Sequence, residues 1–475
     1  MMHGAGSSLG VLTSLVGADV ITTDPATLAP FEVDQRRLFH GKALALARPR
    51  DTAQIATILA YCNAQKIGVV PVGGNTSYCG GATPDESGSQ LVLSLARMNR
   101  IRAIDPDNNS LTADAGCVLA AVQQAAASAE RYFPLSLGAE GSCQLGGNLA
   151  TNAGGLNVVR YGMARDLVLG LEVVLPDGRI LESLGALRKD NTGYDLKSLF
   201  VGSEGTLGII SAASVKLFPA QRGFTTALAT VASPNAALTL LGMVRGRCGE
   251  SLSSFELMPR VAVELAGQQL PSLAMVAPAG AGDWLVLLET TTGQVDDGAE
   301  IPLHNILAGA HDSGLLQDVL LAQNSQQRDR FWQLREAIPE AQRLAGASLK
   351  HDISVPISRL PRFIERAVPI IESLIPEGYL IAYGHLGDGN LHFNVQQRPG
   401  ANRGAFLARE STLKRAVHDL VQEFDGSFSA EHGIGRLKVD ELAHYASTIK
   451  MDLMRAIKRG FDPNGIMNPG KVLRV

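Results

Sequence analysis

Residues 134–165 read PLSLGAEGSCQLGGNLATNAGGLNVVRYGMAR. Large apolar side chains are scarce here, so the stretch cannot form a core of its own. Its glycine, alanine, serine and asparagine residues leave backbone N–H groups uncovered. That suits a chain lying flat against a large planar ligand. Two more clusters share the texture. Gly73-Gly74-Asn75-Thr76-Ser77 directly follows the apolar run IGVVPV, and GSEGTLG (202–208) runs directly into IISAASVKLFP. Glycine in regular structure costs about 0.5–1 kcal/mol relative to alanine, so surface turns alone account poorly for three such clusters. None is a GxGxxG opening a helix, and none is a GxxxxGK[ST] loop, which disfavours nucleotide-triphosphate chemistry. Backbone N–H groups at Gly73–Ser77, with the hydroxyls of Thr76 and Ser77, form a nest suited to a pyrophosphate.

Outward from these clusters the chain reads as globular. It has 475 residues, 45% hydrophobic and 19% charged, enough for two or three domains. A net charge of −4 leaves no electrostatic footprint for nucleic acid. Cys62, Cys79, Cys117, Cys143 and Cys248 are widely spread with no CxxC pair. That argues against a disulfide framework, a structural zinc or an iron–sulfur cluster, and fits a reducing, cytoplasmic setting. The first 20 residues lack the basic flank and apolar core of a signal peptide, and no apolar run is long enough for a membrane span. Asp51 opens an amphipathic helix over 51–66. IGVVPV, QLVLSL and 110–116 read as strands, 117–130 as a helix, and VLGLEVVLPDGRILE as a hairpin turning at Pro-Asp-Gly. Glycine clustering ends near 220. Helices and strands then alternate to about 425, including a long helix over 324–345. The expected division is a lead-in (1–41), a first domain (42–221), a second (222–425) and a C-terminal segment (426–475) with helices at 438–460.

YGHLGDGNLHFNV (383–395) carries His385 and His392, and SAEHGIG (429–435) carries Glu431 and His432. A lone histidine near a strand is usually structural. Two histidines plus a Glu-His pair, all flanked by glycine, make a plausible His/His/Glu metal site with open coordination positions. In a strand over 390–395, His392 and Asn394 point to one side. The pattern is not HExxH, so it does not imply a protease.

PVGGNTS (71–77), PLSLGAEGSCQLGGNLATNAGG (134–155), RYG (160–162) and LFVGSEGTLGIIS (199–211) together resemble the FAD-binding domain of the vanillyl-alcohol oxidase / p-cresol methylhydroxylase superfamily, over about 42–220. The resemblance implies an α+β fold with FAD held between two subdomains. It places Pro71, Gly73, Gly74, Asn75, Thr76 and Ser77 at the pyrophosphate. Gly138, Ser142, Gly147, Asn152 and Gly155 would line the cofactor, with Glu204, Gly208 and Ile209 towards its adenine and ribose. No histidine lies between His40 and His304, and neither Cys79 nor Cys143 is expected to be linked, so the FAD would be non-covalent.

The two histidine segments and DPNGIMNPGK (462–471) are similar to the C-terminal region of the FAD-linked D-2-hydroxy-acid dehydrogenases, nearest to their D-2-hydroxyglutarate branch. This implies an α+β substrate domain and a helical C-terminal segment returning to the FAD domain, with Asn468 touching the flavin. It implies zinc or a similar divalent ion on His385, His392 and Glu431, and His432 as the base. Such an ion lowers a hydroxyl pKa, and a histidine can then take the proton. Arg335 (WQLREAIPEAQ, 332–342) and Lys350 (LKHDISVP, 349–356) would pair a second substrate carboxylate, and Asn394 would bind the first. Pro339 stands where the family carries threonine. The expected reaction is oxidation of D-2-hydroxyglutarate to 2-oxoglutarate by hydride transfer to flavin. Electrons would then pass to a quinone, an electron-transfer flavoprotein or another non-oxygen acceptor. D-lactate or D-malate as substrate, and a non-catalytic flavin subunit, are the alternatives. A homodimer is expected from the resemblance.

Overall fold

Asp51 accepts the Gln54 N–H and so caps the helix Thr52–Gln65, whose buried face is Ile55, Ile58, Leu59 and Cys62. That helix lies in the first of two units of the computed structural model. The first unit comprises residues 1–155, 162–220 and 431–475, and the second 156–161 and 221–430. The described residues are 3–274, 276–278, 282–293 and 300–474, without the side chains of 3–8, 300 and 301. The outermost residues of the expected lead-in and C-terminal segment (Met1, Met2, Val475) lie outside them.

The first unit holds two larger sheets and a two-stranded ribbon that pairs Phe218–Pro219 with Arg131–Tyr132. One runs in the order Ile21–Thr22, Ala43–Ala47, Gln90–Ser94, Val69–Val72. Two of its three pairings are parallel, both made by Gln90–Ser94, and every residue of that strand is buried. Strands buried on both faces read as continuous apolar runs, which is why IGVVPV and QLVLSL do not alternate. The other sheet is antiparallel, in the order Ile101–Asp105, Ser110–Asp114, Ile209–Lys216, Val168–Val174, Ile180–Ser183. The expected Pro-Asp-Gly hairpin joins its last two strands, closed by Leu175 N–H to Arg179 O.

Two features depart from the expected organisation. The lead-in is not separate, because Ile21–Thr22 pairs with Ala43–Ala47. Residues 156–161, inside the expected FAD domain, group with the second unit. Arg160 donates to Thr291 O, and Leu156 O accepts the Ser254 hydroxyl.

The second unit has an antiparallel sheet in the order Leu252–Pro259, Trp284–Thr292, Gly223–Val231, Leu316–Leu321. A smaller sheet forms around Asn390–Gln397, which pairs with Gly378–Tyr383, Ser348–Leu349 and Asp352–Ser354. Leu257 and Gly384 exchange backbone hydrogen bonds and so join the two sheets. The helix Ser325–Ala345, capped by Asn324, packs its Phe331, Trp332, Leu334 and Ile338 into the core.

Candidate functional site

In the first unit the three glycine clusters meet at close quarters. A Cβ on Gly74 would lie 2.1 Å from Ser142 O, and one on Gly73 would lie 3.4 Å from the Gly147 Cα. The strand Val69–Val72 thus delivers its following loop directly onto the 138–147 segment, and only glycine allows that approach. At Gly138 and Gly141 a Cβ would meet nothing within 4 Å. The carbonyl oxygens Gln144 Oε1 and Asn468 Oδ1 are buried and bond no group among the described residues. A buried acceptor of this kind calls for a donor from a bound ligand, and the flavin ring and ribityl hydroxyls of FAD are such donors. The cradle therefore fits the cofactor.

Several residues expected at the FAD are also engaged in holding this unit together. Asn75 has φ 53° and donates from Nδ2 to Pro30 O and Val33 O. Ser77 Oγ accepts the Cys79 N–H, and the Ser142 hydroxyl bonds Ala139 O. Asn152 Oδ1 accepts the Arg165 N–H. Pro71 packs under Gly205, Gly208 lies close to Val174 O, and Ile209 is core. Thr76 is part-buried at the loop. Glu204 is part-buried and accepts the N–H groups of Ile434 and Gly435, both at 2.7 Å. Burial raises its carboxyl above the ordinary value, against the pull of those two bonds. Asn468 returns to this unit as expected: its N–H bonds Val69 O, and Nδ2 bonds Gly81 O and Glu204 O. Gly155, at φ 107°, donates its N–H to Glu431 Oε1 at 3.0 Å. His432 sits edge-on to Tyr78, ring centroids 5.0 Å apart.

In the second unit His385 and His392 lie side by side, ring centroids 5.6 Å apart. His385 is at the turn after Gly378–Tyr383, and His392 is in the paired strand, opposite Asp352. His385 Nδ1 meets Glu256 Oε1 at 2.6 Å, and the other oxygen of Glu256 takes Arg335 Nε at 2.7 Å. Glu256 is 1% exposed and Arg335 6%. Burial works to raise the Glu256 carboxyl, but Arg335 and His385 outweigh it and hold it well below the usual carboxylate range. Arg335 also lies over the Tyr383 ring, 5.1 Å from its centroid. The Asn394 amide is engaged at both ends, with Gln342 Oε1 at 3.0 Å and the His351 N–H at 3.3 Å. Lys350 is exposed. A carboxylate on the far nitrogen of an imidazole fixes the ring and presents the other nitrogen outward, the arrangement behind many metal-bound histidines. The donor set of the second unit therefore suits a divalent metal.

Residues 220–472 match the family model of FAD linked oxidases, C-terminal domain, and 43–183 match that of a FAD binding domain. A D-2-hydroxyglutarate dehydrogenase of Bos taurus is 41% identical, covering 98% of this chain and 83% of the relative. The chain belongs to the FAD-linked D-2-hydroxy-acid dehydrogenases. A second relative of this dehydrogenase, a D-2-hydroxyglutarate–pyruvate transhydrogenase of Saccharomyces cerevisiae, is 34% identical over 98% of this chain and 94% of its own. Among solved structures, p-cresol methylhydroxylase with substrate bound aligns with a TM-score of 0.75 at 15% identity, covering 98% of this chain and 96% of that one. That likeness carries the fold alone: the dehydrogenase has the p-cresol methylhydroxylase type of FAD-binding fold. Among its described residues no helix is long and apolar enough to cross a membrane.

Glu256 is the residue of this dehydrogenase that carried no sequence signal. It is a single acid in FELMP, 79 positions from Arg335 and 129 from His385. Only a buried acid on an otherwise apolar strand could have drawn attention to it.

Proposed function

We propose that this dehydrogenase oxidises D-2-hydroxyglutarate to 2-oxoglutarate with a divalent metal, most simply zinc, on His385, His392 and Glu431. The observation that carries the reading is the buried chain Arg335–Glu256–His385, which couples an anion-binding guanidinium to a metal-type imidazole. Two facts within the separate units support the third ligand. Gly155 steadies the Glu431 carboxylate. Ala430, the residue before Glu431, donates its N–H to Asp352 O, and Asp352 is the register partner of His392.

Bound FAD supplies a two-electron acceptor for the C2 hydride. A bound divalent ion supplies a Lewis acid for the substrate's hydroxyl and adjacent carboxylate. The chain's own residues do the rest. His432 takes the hydroxyl proton on its imidazole nitrogen, its ring steadied by the edge contact with Tyr78. Arg335 and Lys350 bind the distal carboxylate and Asn394 the first, its amide held in place by Gln342 and the His351 N–H. The names of both relatives support glutarate as the substrate class, and the yeast relative's name makes pyruvate an acceptor to assay beside quinones and electron-transfer flavoprotein. Five free thiols support a reducing, cytoplasmic compartment, although the Bos taurus relative is named mitochondrial.

Lys350→Ala tests the substrate assignment. A lost charge-assisted contact is worth about 1.5–3 kcal/mol. The variant should therefore lose roughly 10–100-fold in kcat/KM for D-2-hydroxyglutarate, with little change for D-lactate. Equal losses with both acids would refute a distal-carboxylate role.

A further inference from the structure

Two buried glutamates hold the helix Ser325–Ala345 against the larger sheet of the second unit, and they do different things. Glu289, on Trp284–Thr292, takes Arg328 through both oxygens (2.7 and 2.9 Å), together with the Trp332 indole and the Thr226 hydroxyl. Glu256, on Leu252–Pro259, takes Arg335 with one oxygen and His385 with the other. Arg328, Trp332 and Arg335 are spaced i, i+4, i+7, so they lie on one helical face. Glu289 is the register partner of Ser254. Glu256 is two residues on from Ser254, so the two carboxylates stand on the same face of the sheet. All partners of Glu289 named here belong to the helix and sheet. Glu256 alone reaches out of that layer, to the turn bearing His385.

We propose that Glu256 is a positioning residue that fixes the His385 ring for metal and the Arg335 guanidinium for substrate through a single carboxylate. The inference rests on the metal reading given above. Its Oε1 on His385 Nδ1 sets the ring's tautomer and aim. Its Oε2 holds Arg335 Nε at 2.7 Å and so fixes the plane of the guanidinium. Both groups are then oriented by one rigid acid, so the positions of metal and distal carboxylate are set relative to each other. Glu289 is the comparison: it anchors the same helix without touching a proposed ligand.

The test measures zinc binding directly, by competition with a chromophoric chelator, on the full flavin-loaded chain stripped of metal. Wild type, Glu256→Gln, Glu256→Asp and Glu289→Gln are compared. Loss of a partner to a metal-bound histidine typically weakens metal binding 10–100-fold. Glu256→Gln should therefore bind zinc about 10–100-fold more weakly, with flavin content unchanged. KM for D-2-hydroxyglutarate at saturating zinc should also rise. Glu256→Asp should fall between the two, and Glu289→Gln should bind zinc like wild type. Wild-type zinc affinity in whichever Glu256 variant folds overturns the inference. Equal weakening by Glu289→Gln also overturns it, since that would be a general loosening of the helix. A wild type that takes up no zinc overturns the metal reading and this inference with it, a result distinct from either of the others.

Discussion

Glu256 and Lys471 are buried charges with opposite consequences. Glu256 is compensated on both oxygens, and its folded-state pKa is depressed. Such a carboxylate contributes stability that is present above its ordinary value of 4.5 and is lost as pH falls through the folded value. Glu256→Gln removes the negative charge that compensates the buried Arg335, and breaking a buried charge pair typically costs about 3–5 kcal/mol. Urea unfolding at pH 7 should show that loss, and the gap to wild type should narrow below pH 4.5. Lys471 is 3% exposed, and burial pulls its pKa down to about 8, assisted by Arg436 and opposed by Asp85. Its folded value lies below the ordinary 10.5, so here too stability falls on acidification, but at pH 7 the loss is already complete. The folded state is favoured above 10.5, and that advantage is lost as pH falls through about 8. Lys471→Met should therefore stabilise the protein at pH 7 by on the order of 3 kcal/mol. The gain should shrink towards zero as pH approaches 10.5, and a gain independent of pH would contradict the account.

At the scale of elements, the loop after Val69–Val72 and the tail 431–475 carry the cofactor end of the first unit. A Cβ at Gly74 collides with backbone rather than with a flexible side chain. Gly74→Ala must move the 138–147 segment, and the variant should purify with far less flavin than wild type, read from its visible absorbance. Glu204 ties the tail down by two backbone bonds. Glu204→Gln keeps one acceptor of the two and should raise the FAD dissociation constant while leaving the second unit's unfolding unchanged. These elements were legible because their causes are local. Asp51 caps its own helix, Pro-Asp-Gly turns its own hairpin, and clustered glycine announces close backbone approach. Glu256, by contrast, acquires its meaning only when three distant segments meet, and nothing in FELMP reports that meeting. The displacement of 156–161 into the second unit has the same origin, because Arg160 and Leu156 find their partners near 254 and 291. Arg335 stood out as a cation for a substrate. That it first serves a buried glutamate could not be read from its spacing to Lys350.

For the whole molecule, each unit contributes its own parts: a glycine cradle with buried acceptors in one, and paired imidazoles with a buried guanidinium in the other. The family and its fold fix the class of reaction. The metal and the particular acid remain the substance of the proposal. The measurement that tests both most directly is anaerobic bleaching of the enzyme's flavin absorbance by D- and L-2-hydroxyglutarate, with D-malate and D-lactate alongside, before and after chelator treatment. The account predicts fast bleaching by D-2-hydroxyglutarate, none by its L-enantiomer, loss of the response with chelator and its return with zinc. Bleaching that survives complete metal removal, or that is as fast with D-lactate as with D-2-hydroxyglutarate, would contradict it.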